Sequence, residues 1–190
     1  DKDNAARGGA LERMGVELGG KAANIGFSAA DGSQVIPQAA RWTFNAGQGC
    51  TRPTRLLVER PMYEKVIDGV ADLVSKVSIG RPFDPGVTMG PVITEASANR
   101  IVHIVADAKA SGAGRVIMGG NRIGGDLASG FFVEPTMLID VDNRSTIAQT
   151  EIFGPVLCVM PFDDEDQAVA LANDTQFGLA AYAHTNDMAR

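Results

Sequence analysis

The sequence predicts an α/β domain built on a largely parallel sheet. Apolar, β-rich runs alternate with amphipathic helical runs along most of the 190 residues, and the turns between them are open. Apolar residues make up 45% of the chain, enough to bury a core and to exclude a disordered polypeptide. There is no internal repeat, linker or low-complexity tract, so one domain is expected at this length.

The elements follow in order. Ala5 to Met14 predicts a short helix and Val16-Glu17-Leu18 a strand, which Gly19-Gly20 breaks; Ala23 to Phe27 predicts another extended run. Asp31 is the expected N-cap of a helix ending near Ala46-Gly47, because glycine is favoured just past a helix. Thr54 to Glu59 is a strand. Tyr63, Val66, Ile67, Val70, Leu73, Val74 and Val77 then recur at the spacing of a helix with one buried face.

Gly80 to Pro91 carries three prolines and two interior glycines, which predicts an irregular loop. Thr94 to Lys109 is a helix with Ile101, Ile104, Val105 and Ala108 on one side, and Arg115 to Met118 a short strand. Five glycines in Gly119 to Gly130 mark a turn or loop. Phe131 to Ile139, Val156 to Phe162 and Leu179 to His184 predict strands. Asp163 to Asn173 predicts a helix whose acidic first turn suits the positive end of the helix dipole.

Charge and composition exclude several functions. A net charge of -6 without a basic stripe makes a poor nucleic-acid or anionic-membrane binder, and no apolar run approaches the ~20 residues of a membrane span. Two cysteines, Cys50 and Cys158, form no disulfide framework, and the N-terminus has no signal-peptide pattern; both fit a cytoplasmic location. Neither Gly-x-Gly-x-x-Gly nor a phosphate-binding Gly-x-x-x-x-Gly-Lys-Ser/Thr loop occurs. His103 and His184 lie far apart with no cysteine at ligand spacing, so no metal site is expected.

Three segments can carry chemistry. Cys50 follows a predicted helix end in Asn45-Ala46-Gly47-Gln48-Gly49-Cys50-Thr51, where small neighbours let a substrate approach the sulfur. Arg52 and Arg55 follow it, and nearby positive charge favours a thiolate. Cys50 is thus either a nucleophile or a small packed hydrophobe, whereas Cys158 in Val156-Leu157-Cys158-Val159-Met160 is core. Glu17, in an apolar run ending at a double glycine, either faces water by strand alternation or is held as a general base. Glu151-Ile152-Phe153-Gly154-Pro155-Val156 places a carboxylate and a ring two apart, suited to a ribose diol and a flat cofactor, or to ordinary turn chemistry.

Taken together, Glu-Leu-Gly-Gly-Lys at 17–21, Gly-Gln-Gly-Cys at 47–50 and Glu-Ile-Phe-Gly-Pro-Val at 151–156 resemble the aldehyde dehydrogenase superfamily in content, order and spacing. Met89-Gly90-Pro91, Gly130-Phe131-Phe132-Val133-Glu134-Pro135-Thr136 and Ala172-Asn173 with Phe177-Gly178-Leu179 extend the resemblance across essentially the whole chain. It implies a three-layer, cysteine-bearing catalytic domain. By position, Cys50 would be the nucleophile and Glu17 the base that activates water. Glu151 and Phe153 would contact the ribose and nicotinamide of NAD or NADP.

The resemblance also implies a small-molecule aldehyde as substrate and a homo-oligomeric parent. Residues 1–16 would be the tail of a cofactor-binding domain lying upstream, and 17–190 a catalytic domain truncated at its C-terminus, inactive by itself. The alternative is a folded but inactive module used for interaction or as a scaffold.

Overall fold

The computed structural model describes residues 15–30, 32–187 and 189. Six strands form one sheet: β1 (Ala23–Gly26), β2 (Arg55–Glu59), β3 (Arg115–Met118), β4 (Thr136–Ile139), β5 (Val156–Phe162) and β6 (Ala181–His184), in the order β3-β4-β5-β2-β1-β6. Every adjacent pair is parallel except β3–β4. The helices are α1 (Gly32–Ala39), α2 (Tyr63–Ser75), α3 (Glu95–Ser111), α4 (Thr146–Gln149) and α5 (Glu165–Asn173).

Strand alternation divides the core into two halves. Leu56, Val58, Met137, Ile139, Leu157 and Val159 point to one face, where Val35 of α1, Trp42 and the Val66-Ile67-Val70 stripe of α2 cover them. Leu57, Leu138, Cys158 and Met160 point to the other, beneath Ile101 and Val105 of α3, Ile147 of α4 and Ala168 of α5. The result is the expected three-layer α/β arrangement. Helix ends obey local chemistry: Thr94 caps α3 by accepting from the Ser97 N–H, and left-handed Gly112 ends it.

Several expectations are corrected. Val16-Glu17-Leu18 is irregular and exposed, not a strand, because no neighbouring strand among the described residues completes a hydrogen-bond ladder for it. The helix expected to reach Ala46-Gly47 stops being α-helical at Ala39, two residues after the internal Pro37. A tighter 3₁₀ segment then runs on until Phe44 turns extended and Asn45, Ala46 and Gly47 turn left-handed.

The strand expected from Phe131 begins only at Thr136, since Pro135 has no N–H to give to a ladder. Leu179 and Ala180 likewise precede β6 rather than belong to it. The short helix α4 had no signal in the pattern. The Ala5 to Met14 helix and the Asp31 cap lie outside the described residues.

Topology positions the three chemistry-bearing segments. Each runs into the start of a strand: 17–21 into β1, 45–52 into β2 and 151–155 into β5. These strands are adjacent and parallel in the order β5-β2-β1, with Ala23, Arg55 and Cys158 paired in register. The segments therefore meet at one edge of the sheet, its N-terminal edge. Open α/β sheets more commonly bind ligands beyond the carboxyl ends of their strands.

Candidate active site

Backbone contacts hold the three segments together. The Gly20 N–H donates to Glu151 Oε1 at 3.0 Å. A Cβ on Gly19 would strike the Glu151 carboxylate, and one on Gly20 would strike the Cys50 carbonyl oxygen. Gly47, at φ +72°, packs on the Gly154 carbonyl so closely that only glycine fits. The double glycine that looked like a strand breaker is instead the point where both partner segments touch the first.

Cys50 is half-buried on a turn closed by Gly49 N–H to Gly47 O and Arg52 N–H to Gly49 O, each 3.1 Å. Three successive left-handed residues precede it: Asn45 at φ +54°, Ala46 at +50° and Gly47. For Ala46 this conformation is costly and persists because the surroundings enforce it. Asn45 and Gln48 supply that enforcement. The Asn45 amide donates to Gln48 O at 2.8 Å and the Gln48 amide returns to Asn45 O at 3.0 Å. Gln48 also donates to Pro91 O and accepts from the Ile93 N–H at 2.8 Å, tying the 91–93 loop to the cysteine turn. Sequence reasoning passed over these two amides; their signal was two Asx/Glx residues three apart around a glycine.

Glu151 and Phe153 stand two residues apart on the segment that leads into β5. One carboxylate oxygen of Glu151 is held by Gly20, while its side chain makes no second hydrogen bond among the described residues. Phe153, at φ +51° and 42% exposed, lines a depression of about 880 Å³ with Asn45, Gln48, Met89 and Phe131. Glu17 lies three residues before the Gly20 contact and is exposed, with no hydrogen bond or ion pair among the described residues.

Arg55 does not serve Cys50. It is fully buried, donating to Lys21 O, Asn143 Oδ1, Leu171 O and Ala172 O. Its charge reaches Cys158, its register partner, together with that of buried Lys21. Burial still wins there and pushes the Cys158 thiol up, against the pull of both cations. Burial likewise pulls the Lys21 amine down from its ordinary value, and its Nζ has no hydrogen-bond partner among the described residues. His103 is a solvated residue beside Asp107, as its position off the apolar stripe of α3 predicts, and no metal-binding cluster occurs among the described residues.

A sequence model described as the Aldehyde dehydrogenase family matches residues 3–190. The chain belongs to that family. A betaine aldehyde dehydrogenase of Brucella ovis is 40% identical over 187 residues, covering 98% of this chain and 38% of the relative. Among solved structures, a Staphylococcus aureus betaine aldehyde dehydrogenase in complex with NAD+ is similar with a TM-score of 0.91 at 37% identity, over 99% of this chain and 37% of that one. A Mycobacterium tuberculosis aldehyde dehydrogenase complexed with NAD+ gives 0.86 at 41% identity, over 91% and 36%. HpcC from Thermus thermophilus gives 0.89 at 36% identity, over 99% and 38%. The chain thus spans about 38% of the length of the curated relatives it matches.

Proposed function

We propose that this chain supplies the catalytic centre of an enzyme that oxidises an aldehyde to a carboxylic acid with NAD or NADP. The observation that supports the reading is the convergence of the Cys50 turn, the Gly19-Gly20 pair and the Glu151–Pro155 segment through contacts that only glycine permits. Membership of the aldehyde dehydrogenase family and the NAD+ complexes of similar structures support the reaction class. We assign residues 17–190 to a catalytic domain and 1–16 to the end of a cofactor-binding one.

In this reading the Cys50 thiolate adds to the aldehyde carbon, forming a C–S bond and a tetrahedral thiohemiacetal alkoxide. When bound, NAD(P)+ supplies the hydride acceptor that takes the aldehyde hydrogen with its electron pair. Covalent attachment is useful because the alkoxide pushes that pair outward, which a free aldehyde does poorly. The thioester left on Cys50 is then hydrolysed: Glu17 takes a proton from water, hydroxyl adds to the acyl carbon, and the C–S bond breaks to return the thiolate. Glu151 would accept from the ribose and Phe153 would pack on the nicotinamide, fixing orientation.

No helix among the described residues is long and apolar enough to cross a membrane, and both cysteines are unpaired. The same reading takes the whole enzyme to be a cytoplasmic homo-oligomer acting on a small aldehyde, without nucleic acid.

The test is pre-steady-state kinetics of a full-length enzyme carrying these residues. Glu17→Gln should leave a near-stoichiometric NADH burst and slow steady turnover by about 10²–10⁴-fold, the range for a lost general base. Equal loss of burst and turnover would remove Glu17 from the hydrolytic role. Persistence of turnover in Cys50→Ser would remove Cys50 as the nucleophile, and absence of turnover in the unsubstituted enzyme would favour a non-catalytic module.

A further inference from the structure

A second depression shares no lining residue with the one beside Phe153. It measures about 120 Å³ and is lined by Asn24, Gln38, Arg41, Thr51, Arg52 and Tyr182, together with Pro53 and His184. Thr51 and Arg52 directly follow Cys50, whereas Asn45 and Gln48, which precede it, line the Phe153 depression. Cys50 is therefore flanked along the chain by residues of two different hollows. One hollow has the exposed ring expected beside a nicotinamide. The other is cationic.

The charge arrangement there is specific. The guanidinium carbons of Arg41 and Arg52 each stand 5.9 Å from the centroid of the same exposed ring, Phe44. Neither arginine pairs with a carboxylate among the described residues, and no residue lining the hollow is acidic. Arg41 is steadied by donating to Gln38 Oε1 at 3.0 Å. Arg52 folds back over the residue before the cysteine, its Nε lying 3.1 Å from where a Gly49 Cβ would stand. Tyr182 braces the floor by donating to Thr51 O at 2.9 Å.

His184 adds no charge at neutral pH, because burial pulls it below its ordinary value and its Nε2 engages Asn24 Oδ1 at 2.9 Å. Two like charges gathered on one ring without a counter-ion repel each other and together attract an anion.

We propose that this hollow selects aldehydes bearing a carboxylate a few carbons from the carbonyl, with Arg41 and Arg52 holding the carboxylate while the carbonyl reaches Cys50. The spacing suits a short molecule: Arg52 is two residues past Cys50, so their Cα atoms lie within about 7 Å. Guanidinium groups give a carboxylate paired, charge-assisted hydrogen bonds. A quaternary ammonium aldehyde, the kind named in several relatives, would meet repulsion in the same place. The proposal rests on the reading of Cys50 as the nucleophile.

The experiment uses the 190-residue chain and compares alkylation of Cys50 by iodoacetate and by iodoacetamide, read by peptide mapping. Taken relative to an unstructured cysteine peptide, the iodoacetate-to-iodoacetamide rate ratio should be raised about tenfold, the low end of electrostatic steering. Arg41→Gln with Arg52→Gln should return the ratio to that of the peptide, since any change in thiolate fraction alters both rates alike and cancels in the ratio. A ratio equal to the peptide's, or unmoved by the double substitution, overturns the anion site and leaves the nucleophile standing.

If neither reagent labels Cys50, the nucleophile reading falls. The arginine pair is then judged by the side-chain N–H resonances of Arg41 and Arg52. Shifts with 4-oxobutanoate but not with butanal support the site. Shifts with inorganic pyrophosphate and none with 4-oxobutanoate, or none with either, overturn it.

Discussion

Cys50 and Cys158 occupy opposite settings only a strand apart. Cys158 sits in the middle of β5, fully buried, its Sγ directed at the Ile147 carbonyl and two cations near it. Cys50 sits on a half-buried turn at the sheet edge, in a segment whose earlier residues line one hollow and whose later residues line another. By sequence, Arg55 is five residues from Cys50 and a hundred from Cys158; by charge, it belongs to Cys158. The β2–β5 ladder causes the inversion, because it pairs Arg55 with Cys158 and points both into the interior. Positive charge near a thiol does not make it reactive where burial opposes the thiolate more strongly.

Breaking the buried side of this comparison should have the largest effect. Arg55→Met removes the donor to three backbone carbonyls and to Asn143, and should cost about 3–5 kcal/mol in chemical denaturation, as for other broken buried charge networks. At temperatures where the variant remains folded, the labelling rate of Cys50 should be unchanged. A slower Cys50 would restore the arginine to the role its sequence position suggested.

Next in size, neutral-pH alkylation of the folded chain should modify Cys50 at least about 100-fold faster than Cys158, because exposing a core thiol requires an opening of several kcal/mol. Comparable rates at the two positions would end the contrast. Smaller still, Gly20→Ala forces a Cβ against the Cys50 carbonyl and should destabilise by about 1–3 kcal/mol while altering Cys50 labelling. Gly178→Ala, with open space around it, should stay within about 0.5 kcal/mol and serves as the control.

The smallest effect is titration of His184, which lines the same hollow as Thr51 of the cysteine turn. Its folded value lies below 6.5, so between the two values the unfolded chain binds more protons and stability rises with pH, levelling off above 6.5. His184→Gln should flatten that acid-side slope in melts run from about pH 5 to 7. A slope of opposite sign would mean the imidazole gains a carboxylate partner on folding.

Much of this was legible in the linear pattern. Helical periodicity set the buried stripe of α2, where Val66, Ile67 and Val70 face the sheet as expected, and unbroken apolar runs marked β2 and β5. Cys50, Glu17, Glu151 and Phe153 were singled out only through the resemblance of three motifs to one family, since each segment by itself also suits an ordinary structural role. What failed was local inference at interrupted elements. Pro37 and Pro135 ended ladders that apolar pattern alone would have continued, and Val16-Glu17-Leu18 lacked a partner strand.

By itself, the sequence determined the alternation of strands and helices, the solvent face of α3 that carries His103, and which segments bear reactive groups, since propensity, periodicity and glycine content act over a few residues. Only tertiary structure decided which charges and thiols share an environment. Strand order β5-β2-β1 brings 151–155, 45–52 and 17–21 to one edge, places Gly20 against both Cys50 and Glu151, and turns Arg55 inward while Arg41 and Arg52 gather on Phe44. Those are contacts between residues up to 131 apart in the chain. They follow from register and parallel pairing, which fix the partners of a residue through the sheet rather than through its neighbours in sequence.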